Sequence, residues 1–223
     1  MQKLLITGGK KLSGEVVISG SKNASLPIII SSLLFDDPVQ FENVPKVKDI
    51  YTLINLIKVL GREVEFDENK EILKISKKNK DKYFAPYSIM KTMRAGVLVL
   101  APLLAKFGKA KVSLPGGCSI GARPVNLHLD ALKKLGAKIN VKNGYIDASA
   151  PKGLLGANIK FSSISVGATE SIIIAAVLAK GTTKISNAAI EPEVIDLIKF
   201  LNKCGADIKY NSKRKIIRKG CLL

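Results

Sequence analysis

Cys118 stands behind two glycines in the stretch PGGCSIGARP (115–124), and Arg123 follows five positions later. A thiol on permissive backbone beside a guanidinium has two readings: a thiolate held ready for acid–base or covalent work, or an incidental loop thiol. Cys204 falls under Leu60 in a repeat described below, so it is expected to fill core. Three widely spaced cysteines without a CxxC pair indicate neither a disulfide framework nor a zinc knuckle. His128 is the only histidine, which excludes an HExxH site and any Ser/His/Asp or Cys/His arrangement that does not use it. Its expected place is on a helix, facing solvent or a sheet, outside the chemistry. GKKLSG (9–14) has the glycine spacing of a P-loop, but Glu15-Val16 follow where Lys-Ser/Thr is required, and no GxGxxG is present.

The chain has 36 basic against 18 acidic residues, a formal net charge of +18, which points to anionic partners. Basic residues are scattered, and aromatics make up only 5%, so the stacking platforms of a nucleic-acid binder are missing. A lysine-rich solvated surface is the bland explanation. The one dense cluster, KRKIIRK (213–219), is expected to lie in a divergent basic tail over 211–223. No apolar run is long enough to cross a bilayer, and the first residues lack the pattern of a signal peptide, so a cytoplasmic protein that does not bind membranes is expected.

The elements that must position these residues repeat. Residues 21–66 align with 165–210 at a constant offset of 144, matching Ala24 to Ala168, Asn43 to Asn187 and Gly61 to Gly205. Each copy reads as an apolar helix (24–35; 168–179), a short strand (38–43; 182–187), an amphipathic helix (48–60; 192–204) ended by glycine, and a strand (62–67; 206–210). A strand before each, GEVVIS (14–19) and GANIKF (156–161), completes a β-α-β-α-β unit. A third copy lies between them, at an offset of 71 for its first helix and 75 for its second. The four extra residues fall in PGGCSIGARP, an insertion that only the middle repeat carries and a natural binding loop. The expected fold is an α/β domain of three repeats (about 14–67, 85–148 and 156–210) with pseudo-threefold symmetry, nearly all-apolar helices inside and sheets outside.

Symmetry then sets the N-termini of the three buried helices at equivalent points: Lys22-Asn23, Met93-Arg94 and Val166-Gly167. Helix N-termini carry unpaired N–H groups and the positive end of the macrodipole, so they suit anions. With Lys22, Arg94 and Arg123 added, the expected site binds phosphate and carboxylate groups.

SGSKNASLPI, YSIMKTMRAGVLVLAPLLAKFG, VSLPGGCSIGARPVNLH and SVGATESIIIAAVLAKGTTKISNAAIEPEV resemble the UDP-N-acetylglucosamine enolpyruvyl transferases (1-carboxyvinyltransferases), over residues 3 to about 210. The resemblance implies an inside-out α/β barrel domain and transfer of the enolpyruvyl group from phosphoenolpyruvate to the 3-hydroxyl of UDP-N-acetylglucosamine, the first committed step of peptidoglycan synthesis. It implies Cys118 as proton donor and the residue alkylated by fosfomycin, with Lys22 and Arg123 also catalytic. Lys22 and Asn23 match the phosphoenolpyruvate-binding pair. Arg94, Arg123, Pro124, Val125, Asn126 and Leu127 match the nucleotide-sugar contacts, and Ser163, Ile164, Ser165, Val166 and Gly167 the helix N-terminus that meets the uridine diphosphate. No metal or organic cofactor is implied, and no nucleic-acid partner.

Asn126 stands where the family commonly has Asp, and Ser163 where some members have Lys, which puts nucleotide affinity in question. The family chain is about twice as long, with a second three-repeat domain facing the first. The resemblance implies that the strands in 1–20 pack in that absent domain. The expectation is a chain inactive alone, with a separate C-terminal half as partner; the competing reading is a non-catalytic fragment that binds anions or nucleotide sugars.

Overall fold

The computed structural model describes residues 3–78, 82–116 and 125–220. Three sheets form the outside of one bundle of buried helices. In the first repeat, α1 (Lys22–Ser31) runs on through a 3-10 turn to β1 (Val39–Phe41), α2 (Lys48–Val59), β2 (Arg62–Asp67) and β3 (Ile72–Lys77). The second holds β4 (Phe84–Ala85), α3 (Tyr87–Met90), a 3-10 helix (Arg94–Val99), α4 (Leu100–Phe107), β5 (Lys109–Ser113), α5 (Asn126–Lys134), β6 (Lys138–Lys142) and β7 (Tyr145–Ser149). The third holds β8 (Asn158–Lys160), α6 (Val166–Ala176), β9 (Thr183–Ser186), α7 (Pro192–Lys203), β10 (Asp207–Asn211) and β11 (Lys215–Lys219).

The helices that read as apolar all round are the buried ones. Ile29, Ile30, Leu100, Leu103, Ile172 and Ile174 have essentially no exposed surface, and α1, α4 and α6 meet one another directly or through the 3-10 segments. The amphipathic α2, α5 and α7 bury one stripe each. Each ends where the sequence placed glycine: Gly61, Gly136 and Gly205 have φ of 100°, 93° and 99°, a left-handed region that side-chain-bearing residues resist.

Three expectations need correction. First, every repeat ends in a return strand that β-α-β-α-β does not contain: β3, β7 and β11 pair antiparallel with β2, β6 and β10. The gapless alignment stops before this hairpin because its turn is a residue shorter in the third repeat. The left-handed turn residue is Glu71 in one and Arg214 in the other, an offset of 143. Second, KRKIIRK does not form a loose tail. Its residues 215–219 are β11, paired between β10 and β9 with Ile216 buried. Third, residues 14–19 form no strand; Val16, Val17 and Ile18 are 78–97% exposed. Among the described residues the sheets are accordingly unequal, β4-β5-β7-β6 and β8-β9-β11-β10 against β1-β3-β2.

Arginines bind the sheets to the buried helices. Arg62, on β2, donates to the carbonyls of Phe35 (2.9 Å) and Leu33 (3.3 Å) at the C-terminal end of the first buried helix. Arg218, on β11, donates to the carbonyls of Ala179 (2.6 Å) and Val177, the equivalent positions of the third repeat. Both guanidinium groups answer helix-end carbonyls that have no partner within the helix.

Candidate functional site

The first turns of two buried helices are built alike. Ser21 and Ser165 cap α1 and α6, each hydroxyl accepting from the backbone N–H three residues on, Ala24 (3.4 Å) and Ala168 (3.3 Å). One turn in, Ser25 and Thr169 donate their hydroxyls back to the carbonyls of Ser21 and Ser165, at 2.8 Å each. These caps fix both helix ends at the mouth of one cavity. Met93 and Arg94, where the 3-10 helix of the middle repeat begins, reach it too.

The cavity encloses about 570 Å³, with Lys22, Asn23, Arg94, Ser165, Val166 and Gly167 on its wall, as symmetry required. Asp49, His128, Glu170 and Glu193 line it as well. Lys22 pairs with Asp49 at 2.8 Å, both side chains partly exposed. Asp49 and Glu193 are repeat equivalents, each in the first turn of its amphipathic helix.

Two of these groups are buried and neutral near pH 7. Burial, reinforced by the Glu193 carboxylate, pushes Glu170 up to about 8. Burial first, then the Arg94 charge, pushes His128 down to about 4. His128 is 9% exposed, with its ring against Gly167 and no hydrogen-bond partner for Nδ1. This corrects the expected solvent- or sheet-facing histidine: α5 packs directly on α6, and that contact turns the ring inward. The cavity therefore offers cations and helix N–H groups to an anion, two acids that can answer those cations, and two neutral groups able to donate or accept hydrogen bonds.

Other expected contacts fall elsewhere. Val125, Asn126 and Leu127 sit at the start of α5, and Ser163 and Ile164 precede the α6 cap; none is on the cavity wall. Cys118, Arg123 and Pro124 lie outside the described residues. Among the described residues, no group of His, Cys, Asp and Glu side chains could hold a metal ion, and no helix is long and apolar enough to cross a membrane.

Sequence reasoning missed Glu170, although a signal was present. It interrupts the apolar helix where the first repeat has Leu26, and a carboxyl replacing leucine at a buried repeat position needs a reason beyond packing. The Asp49–Glu193 equivalence was visible in the same alignment.

Three repeated units with helices inside, sheets outside and helix N-termini converging on one cavity define the enolpyruvyl-transferase fold. The enolpyruvyl transferase NikO from Streptomyces tendae superposes with a TM-score of 0.79 at 21% identity, covering 96% of this chain and 50% of that one. EPSP synthase from Acinetobacter baumannii gives 0.72 at 18% identity, over 94% and 48%. Residues 6–221 match the family EPSP synthase (3-phosphoshikimate 1-carboxyvinyltransferase), and the chain belongs to that family. Within it, the chain is 58% identical to the UDP-N-acetylglucosamine 1-carboxyvinyltransferase of Pelagibacter ubique, over 97% of this chain and 51% of that protein. It is 53% identical to the protein of that name from Acinetobacter baylyi, over 94% and 50%. The chain thus spans about half the length of the curated relatives it matches.

Proposed function

We propose that this chain forms one wall of a site that moves the enolpyruvyl group of phosphoenolpyruvate onto the 3-hydroxyl of UDP-N-acetylglucosamine, the first committed step of peptidoglycan synthesis. What carries the reading is the convergence of Lys22, Asn23, Arg94 and the α6 N-terminus on one cavity, in a chain more than half identical to proteins of that name. A proton added to the phosphoenolpyruvate methylene makes C2 electrophilic. The sugar 3-hydroxyl oxygen bonds to C2 and gives up its proton. A methyl proton is then lost as the C2–O bond to phosphate breaks, and phosphate leaves with the vinyl ether formed. Cys118 is the proton donor in this reading. Lys22, Asn23 and Arg123 hold the phosphate and carboxylate of phosphoenolpyruvate, while Arg94, residues 123–127 and residues 163–167 hold the nucleotide sugar. In this reading the part of the relatives' length that this chain does not span supplies the opposite wall.

The test is co-expression of this chain with the remaining half of the Pelagibacter ubique relative, followed by phosphate release from phosphoenolpyruvate and UDP-N-acetylglucosamine. Release is expected from the assembled pair and not from the chain alone, and Cys118→Ala is expected to abolish it. An assembled pair that binds UDP-N-acetylglucosamine without releasing phosphate would favour the non-catalytic binding fragment.

A further inference from the structure

One position breaks the threefold pattern on the cavity wall. Leu26, Val97 and Glu170 are repeat equivalents, at offsets of 71 and 144, and all three line the cavity. They are equally buried, at 5%, 4% and 5% exposed. Two repeats therefore close their share of the wall with an aliphatic side chain, and the third with a carboxyl. Burying a carboxyl where leucine fits costs free energy unless something answers it. No hydrogen bond or ion pair among the described residues does so.

Its place on α6 sets what it can answer. Val166 and Gly167 precede it by four and three residues and share its helix face and the cavity wall. Side chains on a helix lean towards its N-terminus, so the Glu170 carboxyl lies back over the first turn. There the Ser165 hydroxyl takes the Ala168 N–H, while those of Val166 and Gly167 have no carbonyl within the helix to bond. An ionised Glu170 would itself be the anion that this turn attracts, and would repel any other. Burial and the Glu193 carboxylate keep it protonated near pH 7, and a protonated carboxyl has an O–H to donate.

We propose that Glu170 is a substrate-binding residue, its carboxyl O–H donating to a phosphate oxygen seated at the first turn of α6. The inference rests on the transferase reading for the source of that phosphate, which phosphoenolpyruvate and UDP-N-acetylglucosamine both carry. Leu26 and Val97 cannot make this bond, so the third repeat alone supplies it.

The contact ties binding to pH. Glu193 from α7, Arg94 from the 3-10 helix, His128 from α5, Lys22 from α1 and Asp49 from α2 face the cavity with it. The remaining helix packed on α6, α4, puts no side chain on the wall. Arg94 keeps its charge, and His128 is already neutral above pH 6.5. Protonated, Glu170 binds the anion; ionised, it repels it. Affinity is full below pH 8 and falls as pH rises through it, by about tenfold between pH 7 and 9.

Sulfate is the probe, a tetrahedral dianion whose charge is constant over that range. Its titration into the full chain is followed by NMR through the methyl groups of Leu26, Val97 and Val166, which line the cavity. The wild-type Kd is expected to rise about tenfold from pH 7 to 9. Glu170→Gln keeps a donor but cannot titrate, and one Kd is expected at both pH values. Glu170→Leu copies the first repeat and is expected to bind at least about tenfold more weakly than Glu170→Gln at pH 7. A pH slope that survives in Glu170→Gln overturns the contact. So does a Glu170→Leu chain that binds as well as Glu170→Gln, or a wild-type cavity that ignores sulfate.

Phosphate release by the co-expressed assembly separates this contact from the transferase reading. Glu170→Leu is expected to raise the KM of the substrate whose phosphate it holds, with kcat moved less. An unchanged KM for both substrates overturns the contact. An inactive wild-type assembly overturns the transferase reading alone, and a flat wild-type sulfate profile beside an active assembly overturns the contact alone.

Discussion

At the scale of single residues, buried charge and buried acid carry different burdens. Arg62 and Arg218 spend their guanidinium donors on carbonyls at the ends of buried helices. Arg218 is buried, so Arg218→Ala leaves those acceptors unanswered, and a loss of about 3 kcal/mol is expected in urea unfolding. Arg62→Ala should cost a similar amount, since the bonds are equivalent. Glu170 gives a pH signature. Its carboxyl titrates near 8 when folded, above the ordinary value of 4.5, so the folded state binds the extra proton between those limits. Stability from this residue is full below pH 4.5 and declines as pH rises towards 8. His128 acts oppositely: its folded value of about 4 lies below 6.5, so its contribution grows from pH 4 to 6.5 and then is flat. Between pH 6.5 and 8 only the Glu170 decline remains. Melting temperature should fall across that window by on the order of 5 °C, and Glu170→Gln should flatten it. A wild-type melt that does not change from pH 6.5 to 8 would contradict a buried neutral carboxyl.

Elements decide how far the repeats can be trusted. Apolar helices, amphipathic helices and glycine stops were legible because each has a local signature: a 3.6-residue period, or a residue that tolerates positive φ. The hairpin return strands were not, because KIIRK reads as a charged tail until Lys215 and Ile216 are seen opposite Ser186 and Ile185. Pairing across about 30 residues leaves no mark in a short window. Ending the chain after Tyr210 therefore does more than trim a basic tail. It removes the strand between β9 and β10 together with Arg218, and cooperative unfolding is expected to disappear, as followed by circular dichroism.

For the whole molecule, the question is what one wall of a cleft can do. Lys22, Arg94 and two capped helix ends favour an anion on one side, but the cavity remains open and its charges stay partly screened. In the proposed reaction the second wall excludes water and strengthens these same interactions. Fosfomycin should therefore alkylate Cys118 at least about tenfold faster in the co-expressed assembly than in the chain alone, read by peptide mass spectrometry. Equal rates would mean that this half is already organised for the chemistry.

Sequence alone determined the threefold repetition, the interior helices and the gathering of Lys22, Asn23, Arg94 and the α6 N-terminus. Those follow from side-chain periodicity and from symmetry, and both are written linearly along the chain. Tertiary structure decided that His128 faces inward, that Glu170 and His128 are neutral, and that residues 215–219 complete a sheet. Each of these depends on what a distant segment places beside a group: burial sets the proton affinities, and strand pairing assigns the hydrogen bonds. Neither is a property of neighbouring residues.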